Sequence, residues 1–219
     1  MKTPLSISSK YQNFVFLLGN ITTFLFFSLL LPTKSGHSIA IVLALITSAL
    51  AIPFWKKEKL EPEILSACFF ILFLALFWSH TFDSPLSFST KGDYILRYAL
   101  GIFFIISFSK IKIHPRAIIY GVAVGSIASG FMAIYQYKTI GRAEGFTNAI
   151  RFGDLAILMG IISLSAAMLK FFSTKERAFF AIASFFGLLA SILSLSRGGW
   201  PALIAVPVIF FFIFRESKK

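Results

Sequence analysis

Long uninterrupted apolar runs divide the chain, and they constrain its fold more than any other feature of the sequence. A helix needs about 20 apolar residues to cross the roughly 30 Å of hydrocarbon in a bilayer. Eight runs approach that length, at residues 14–31, 38–55, 64–82, 95–109, 117–137, 155–172, 178–196 and 201–214. Their hydrophobicity is continuous rather than alternating, which favours helices over barrel strands. We therefore predict an all-α polytopic membrane protein with about eight transmembrane helices, forming a single domain over residues 1–219.

The composition argues against a soluble globular domain. Only 14% of the residues are charged and the mean hydropathy is +0.83, whereas soluble domains carry about 25% charged residues to wet their surface. The net charge of +12 would suit nucleic acid, but the basic residues form short clusters between apolar runs, as membrane topology requires. We therefore expect membrane lipids, and not nucleic acid, as partners.

The distribution of lysine and arginine predicts the orientation. With the N-terminus in the cytoplasm, 14 of the 21 basic residues fall on the cytoplasmic side and the other 7 fall outside or in the membrane. Cytoplasmic loops of membrane proteins carry such an excess. The bias predicts a multi-pass protein with both ends of this chain in the cytoplasm. Small residues at Gly121, Gly125 and Ser129, four apart, also predict a close helix approach in the fifth run.

The predicted outer loop, residues 138–154, is the first candidate site. It holds three of the seven outer cations, among them Arg142 and Arg151, and several glycines, which let backbone amides approach a ligand. The alternative is a solvated turn in which these arginines form surface ion pairs with Glu144 and Asp154.

The turn at residues 196–199 is the second candidate site. Arg197 follows the seventh run with no acidic residue near it in sequence, and an unpaired cation at a membrane is costly without a partner or a ligand. Gly198 allows the backbone to form an amide nest, so a guanidinium beside free amides would suit a phosphate. Alternatively, Arg197 reaches lipid headgroups and Trp200 anchors the interface.

Other polar residues offer weaker candidates. Arg97 lies four residues after Asp93, a spacing that favours a structural pair on one helix face. The histidines, His37, His80 and His114, have no metal-ligand spacing. The sequence contains no phosphate-binding loop, nucleophile elbow or zinc signature. We expect no metal and no cofactor.

Two segments of this many-span chain resemble the bacterial O-antigen ligase/polymerase superfamily, with the ligase branch nearest. They are Gly-Arg-Ala-Glu-Gly-Phe-Thr-Asn-Ala-Ile-Arg-Phe-Gly at 141–153 and Leu-Ser-Leu-Ser-Arg-Gly-Gly-Trp at 193–200. The resemblance implies a multi-pass enzyme of the bacterial inner membrane. Such an enzyme takes a glycan from undecaprenyl pyrophosphate and passes it to a sugar hydroxyl of lipid A–core on the periplasmic side, without a metal. In the family the matching arginine is implicated in gripping the pyrophosphate, and the role of the earlier arginines is less settled. We therefore predict that Arg197, beside Gly198, is the principal pyrophosphate contact and that Arg142 or Arg151 assists it.

The resemblance further implies residues that this chain does not supply. Family members typically have about twelve transmembrane spans. They also have a large periplasmic loop towards the end of the chain, which carries the histidine proposed as the general base. No histidine of this chain maps onto that residue, so we expect an N-terminal part that is incomplete for catalysis. Two alternatives stay open: an O-antigen polymerase, and a non-catalytic, transport or lipid-binding membrane protein.

Overall fold

The computed structural model describes residues 8–34, 36–55, 60–81, 88–196 and 201. Within these ranges the chain is helical and contains no strand, which confirms the all-α prediction for them. The helices are α1 (Ser9–Leu29), α2 (Gly36–Trp55), α3 (Pro62–Thr81), α4 (Phe88–Ser109), α5 (Pro115–Ile140), α6 (Ala149–Met168) and α7 (Thr174–Leu193).

Five of these helices are long and apolar enough to cross a membrane, namely α1, α2, α5, α6 and α7. They coincide with the first, second, fifth, sixth and seventh predicted runs, so the protein is helical and membrane-embedded. In α3 and α4 the apolar stretches of the described residues, Pro62–Ala75 and Tyr98–Ser109, are shorter. The eighth run, 201–214, lies outside the described residues except for Pro201. The described part of the chain therefore does not confirm the count of eight.

Contacts divide the chain into two compact units. Unit 1 comprises Met1–Thr22 and Val42–Ile113. Its buried core contains Val15, Ala51, Phe54 and Ile111. Two of its hydrogen bonds join side chains of α1 to α2: the Tyr11 hydroxyl donates to the carbonyl of Leu50 at 2.7 Å, and the hydroxyls of Thr22 and Thr47 lie 3.0 Å apart.

Unit 2 comprises Thr23–Ile41 and His114–Lys219, and its core is built from α5, α6 and α7. Small residues allow its helices to approach closely. A Cβ atom on Gly121 would lie 2.7 Å from the carbonyl oxygen of Phe24, and one on Gly125 would meet that of Phe27. These contacts confirm the close approach that the four-residue spacing predicted.

Three buried serine hydroxyls inside unit 2 donate to backbone carbonyls. Ser126 of α5 donates to the carbonyl of Ala183 in α7 at 2.7 Å, which joins the two helices. Ser129 donates to Gly125 at 2.7 Å and Ser163 donates to Met159 at 2.9 Å, each one turn earlier in its own helix. Satisfied hydroxyls are what an apolar environment requires of buried polar groups.

Candidate functional site

The loop between α5 and α6, residues 141–148, is bounded by two capping residues. Gly141 has φ of +76°, a left-handed conformation that glycine adopts readily, and its N–H donates to the carbonyl of Tyr137 at 3.0 Å. Asn148 precedes α6, and its side-chain oxygen accepts the N–H of Arg151 at 2.8 Å. The loop is therefore shorter than the predicted 138–154, because capped helices extend beyond the apolar runs at both ends.

Gln136, in the last turns of α5, holds this loop in place. Its side-chain oxygen accepts the backbone N–H groups of Glu144 at 2.9 Å and Gly145 at 2.8 Å. Its side-chain nitrogen donates to the carbonyl of Gly145 at 2.9 Å. Gly145 has φ of +59°, and a Cβ atom there would lie 2.5 Å from the ring of the fully buried Phe152. Gln136 was not among the residues predicted from the sequence, although an amide near the end of an apolar run was an available signal.

Two hydrogen bonds attach the loop to the C-terminal end of α7. The N–H of Ala143, which is fully buried, donates to the carbonyl of Leu193 at 3.0 Å. The Nε–H of the half-buried Arg142 donates to the carbonyl of Ser194 at 2.9 Å. Helix ends leave carbonyls unpaired and carry partial negative charge, so a guanidinium is a favourable partner there. Arg142 thus caps α7, and its described hydrogen bond goes to this carbonyl rather than to Glu144.

The turn after α7 has an unusual backbone. Leu195 has φ of +54°, a conformation that L-residues other than glycine seldom adopt. Ser194 supports it: its hydroxyl donates to the carbonyl of Ser191 at 2.6 Å and accepts the N–H of Ser196 at 3.2 Å. Gly153 of α6 packs directly on this turn, since its Cβ atom would lie 2.9 Å from that of Ser196. Strained backbone of this kind concentrates at functional sites.

Buried oxygens without a hydrogen-bond partner occur in the turn after α7, in the last turn of α7 and beside Gly153 in α6. Among the described residues, they include Oδ1 of Asp154 and the hydroxyls of Ser191 and Ser196. A buried polar group left unpaired costs about 1–3 kcal/mol, so native proteins keep few of them. Serine hydroxyls can donate to an anion, and a carboxylate oxygen can accept from a sugar hydroxyl.

The predicted site residues have different positions. Arg142 is engaged with the end of α7, and Arg151 is exposed on the first turn of α6. Arg197 and Gly198 lie outside the described residues, so their role stays a prediction. Of the described residues, no three His, Cys, Asp or Glu side chains cluster in a way that could hold a metal.

Comparisons with known proteins add one relative. The chain is similar to an uncharacterized protein of Haemophilus influenzae, with 28% identity over 225 residues that cover 97% of this chain and 54% of the relative. The chain thus spans about half the length of that relative. No protein-family model and no solved structure matches the chain. These comparisons establish a bacterial relative but no function.

Proposed function

We propose that this chain is part of an O-antigen ligase-like enzyme, which transfers a glycan from undecaprenyl pyrophosphate to lipid A–core at the periplasmic face of the bacterial inner membrane. One observation carries the proposal: Arg142 and Ala143 hydrogen-bond to the end of α7. The two segments that carry the resemblance, 141–153 and 193–200, therefore meet, although about 50 residues separate their starts. Strain at Leu195 and the unpaired oxygens near it also support a site there.

The proposed chemistry assigns distinct roles to the arginines. Arg197, with the backbone of Gly198, binds the pyrophosphate, and the exposed Arg151 adds a second cation. As the acceptor hydroxyl attacks the anomeric carbon, the bond from that carbon to the pyrophosphate oxygen breaks, and the arginines stabilise the charge that builds on the leaving group. A general base removes the hydroxyl proton. Arg142 is a positioning residue, because its Nε–H already caps α7.

The finer topology is part of the same proposal: eight spans, with both termini of this chain in the cytoplasm. Exposed apolar side chains support a lipid-facing α3, since Phe69 and Phe73 are 63% and 61% exposed. In a Cys68→Ser background, a cysteine at Thr147 should react with a membrane-impermeant reagent in intact cells, and a cysteine at Lys175 should not. Both positions are exposed; Thr147 precedes the N-terminus of α6, and Lys175 lies in the first turn of α7, beyond the C-terminus of α6. Labelling at Lys175 without permeabilisation would contradict the orientation.

Complementation tests the reaction. The natural gene that encodes this protein is expressed in a bacterium that lacks its own O-antigen ligase but still builds the lipid-linked glycan. We expect glycan attached to lipid A–core, seen as a ladder of lipopolysaccharide on a gel. The same gene in a strain that lacks the polymerase should not restore chain elongation. Elongation without ligation would favour the polymerase. Neither product, with normal membrane insertion, would exclude both reactions.

A further inference from the structure

Unit 1 contains a cavity that the proposed glycan transfer does not use. The segment that follows α4, residues 110–113, turns back against α1. The N–H of Lys110 donates to the carbonyl of Ser107 at 3.1 Å, and the side-chain nitrogen of Asn20 in α1 donates to the carbonyl of Lys112 at 3.3 Å. This turn closes one side of a cavity of about 410 Å³ between α1, the end of α2 and the end of α4. That volume falls within the roughly 300–1,000 Å³ of small-molecule sites.

The cavity wall combines two kinds of chemistry. Its apolar part includes Phe16, Phe54 and Ile111, and its polar part includes Lys110, Lys112 and Gln12. All of these residues belong to unit 1. The wall therefore offers two cations and an amide beside phenyl rings, a combination that neither a simple ion nor a purely apolar molecule would satisfy.

Packing preforms the apolar part of this wall. The ring of Phe54 lies 6.0 Å from those of Tyr11 and Phe16, and Phe54 and Ile111 are 5% and 4% exposed. Gly19 permits the approach of Ile111, because a Cβ atom on Gly19 would lie 2.7 Å from Cγ2 of Ile111. A ligand would therefore meet an ordered surface, which reduces the entropy lost on binding.

We propose that this cavity binds the headgroup of an anionic phospholipid. Lys112 and Lys110 supply charge for the phosphate, while the half-buried Phe16, which packs on the buried Phe54, contacts the glycerol and the first methylene groups. The charge bias assigns both lysines to the cytoplasmic side, where anionic lipids attract basic clusters and basic pockets between helices bind their headgroups. Free phosphate has no apolar part for the phenyl rings to contact, so the lipid fits the whole wall.

Lipid titration of the purified full-length protein in neutral detergent tests this inference, with bound lipid counted by native mass spectrometry. Phosphatidylglycerol should bind more tightly than phosphatidylcholine. A lysine near an anionic headgroup contributes about 1 kcal/mol, so Lys112→Gln should weaken phosphatidylglycerol binding about fivefold. Lys110→Gln/Lys112→Gln should weaken it further. Lys112→Gln should fold normally, because the Lys112 side chain is exposed and the hydrogen bond from Asn20 goes to the Lys112 backbone carbonyl.

The matched control is Lys170→Gln/Lys175→Gln. It removes the same charge from exposed positions that are also predicted to be cytoplasmic but lie outside the cavity, and it should leave the affinity unchanged. If the control weakened phosphatidylglycerol binding equally, general electrostatic attraction would explain the effect, and the proposed binding site would be overturned. Equal binding of phosphatidylcholine, or displacement of the lipid by millimolar inorganic phosphate, would also overturn it.

Discussion

Arg197→Ala is expected to abolish most donor use while the protein still inserts into the membrane. Removing a charged hydrogen-bond donor from a partly desolvated anion raises the barrier by about 2–4 kcal/mol, which is a loss of tens- to several-hundred-fold in rate. Arg197→Lys should restore little activity, because an ammonium cannot reproduce the bidentate geometry of a guanidinium on a phosphate. The measurement is glycan transfer from undecaprenyl pyrophosphate by the full-length protein, at equal protein level.

The control for this result is Lys138→Ala. Lys138 is an exposed cation near the end of α5, inside the predicted outer segment but outside the two motifs. Lys138→Ala removes one positive charge, as Arg197→Ala does, and it should leave glycan transfer near normal. If Arg197→Ala transferred glycan almost normally, Arg197 would instead be a residue that interacts with lipid headgroups. The loop at 141–148, together with Arg151 in the first turn of α6, would then remain as the candidate site.

Gly187→Ala should destabilise unit 2 by about 1–3 kcal/mol, the usual effect of forcing an added group into a well-packed core. A Cβ atom on Gly187 of α7 would lie 2.8 Å from Cα of Gly160 and 2.9 Å from the carbonyl oxygen of Ala156, both in α6, and would meet the Ser126 hydroxyl of α5. The two α6 atoms belong to the backbone, so no rotamer change relieves the contact. Thermal unfolding of the purified protein in detergent measures the effect as a lower melting temperature.

Gly101→Ala is the matched substitution for that experiment. Gly101 lies within α4, and apart from its chain neighbours and the backbone of its own helix no heavy atom lies within 4 Å of its added Cβ. Alanine has a higher helix propensity than glycine by about 1 kcal/mol, so Gly101→Ala should leave the melting temperature unchanged or raise it. If Gly187→Ala behaved like Gly101→Ala, the close packing of α6 and α7 at this point would be contradicted.

The sequence alone determined the fold class and the positions of the main helices. A helix that crosses the hydrocarbon must itself be one continuous apolar segment. Runs such as 117–137 and 155–172 could therefore be recognised without knowledge of the helices that pack against them. The four-residue spacing of Gly121 and Gly125 likewise predicted close packing. It could not indicate that the carbonyls of Phe24 and Phe27 would be the partners.

Only the tertiary structure decided how the candidate site is assembled. Arg142 bonds to Ser194, which is 52 residues away in the chain, and Gln136 holds a loop for which the sequence had indicated no anchor. Arg151 was assigned to the loop because it lies between two apolar runs, yet the cap at Asn148 places it in α6. A local pattern of apolar and polar residues indicates whether a segment requires lipid or water around it. A hydrogen bond between distant segments depends on how several helices pack at once, and no single window of sequence contains that information.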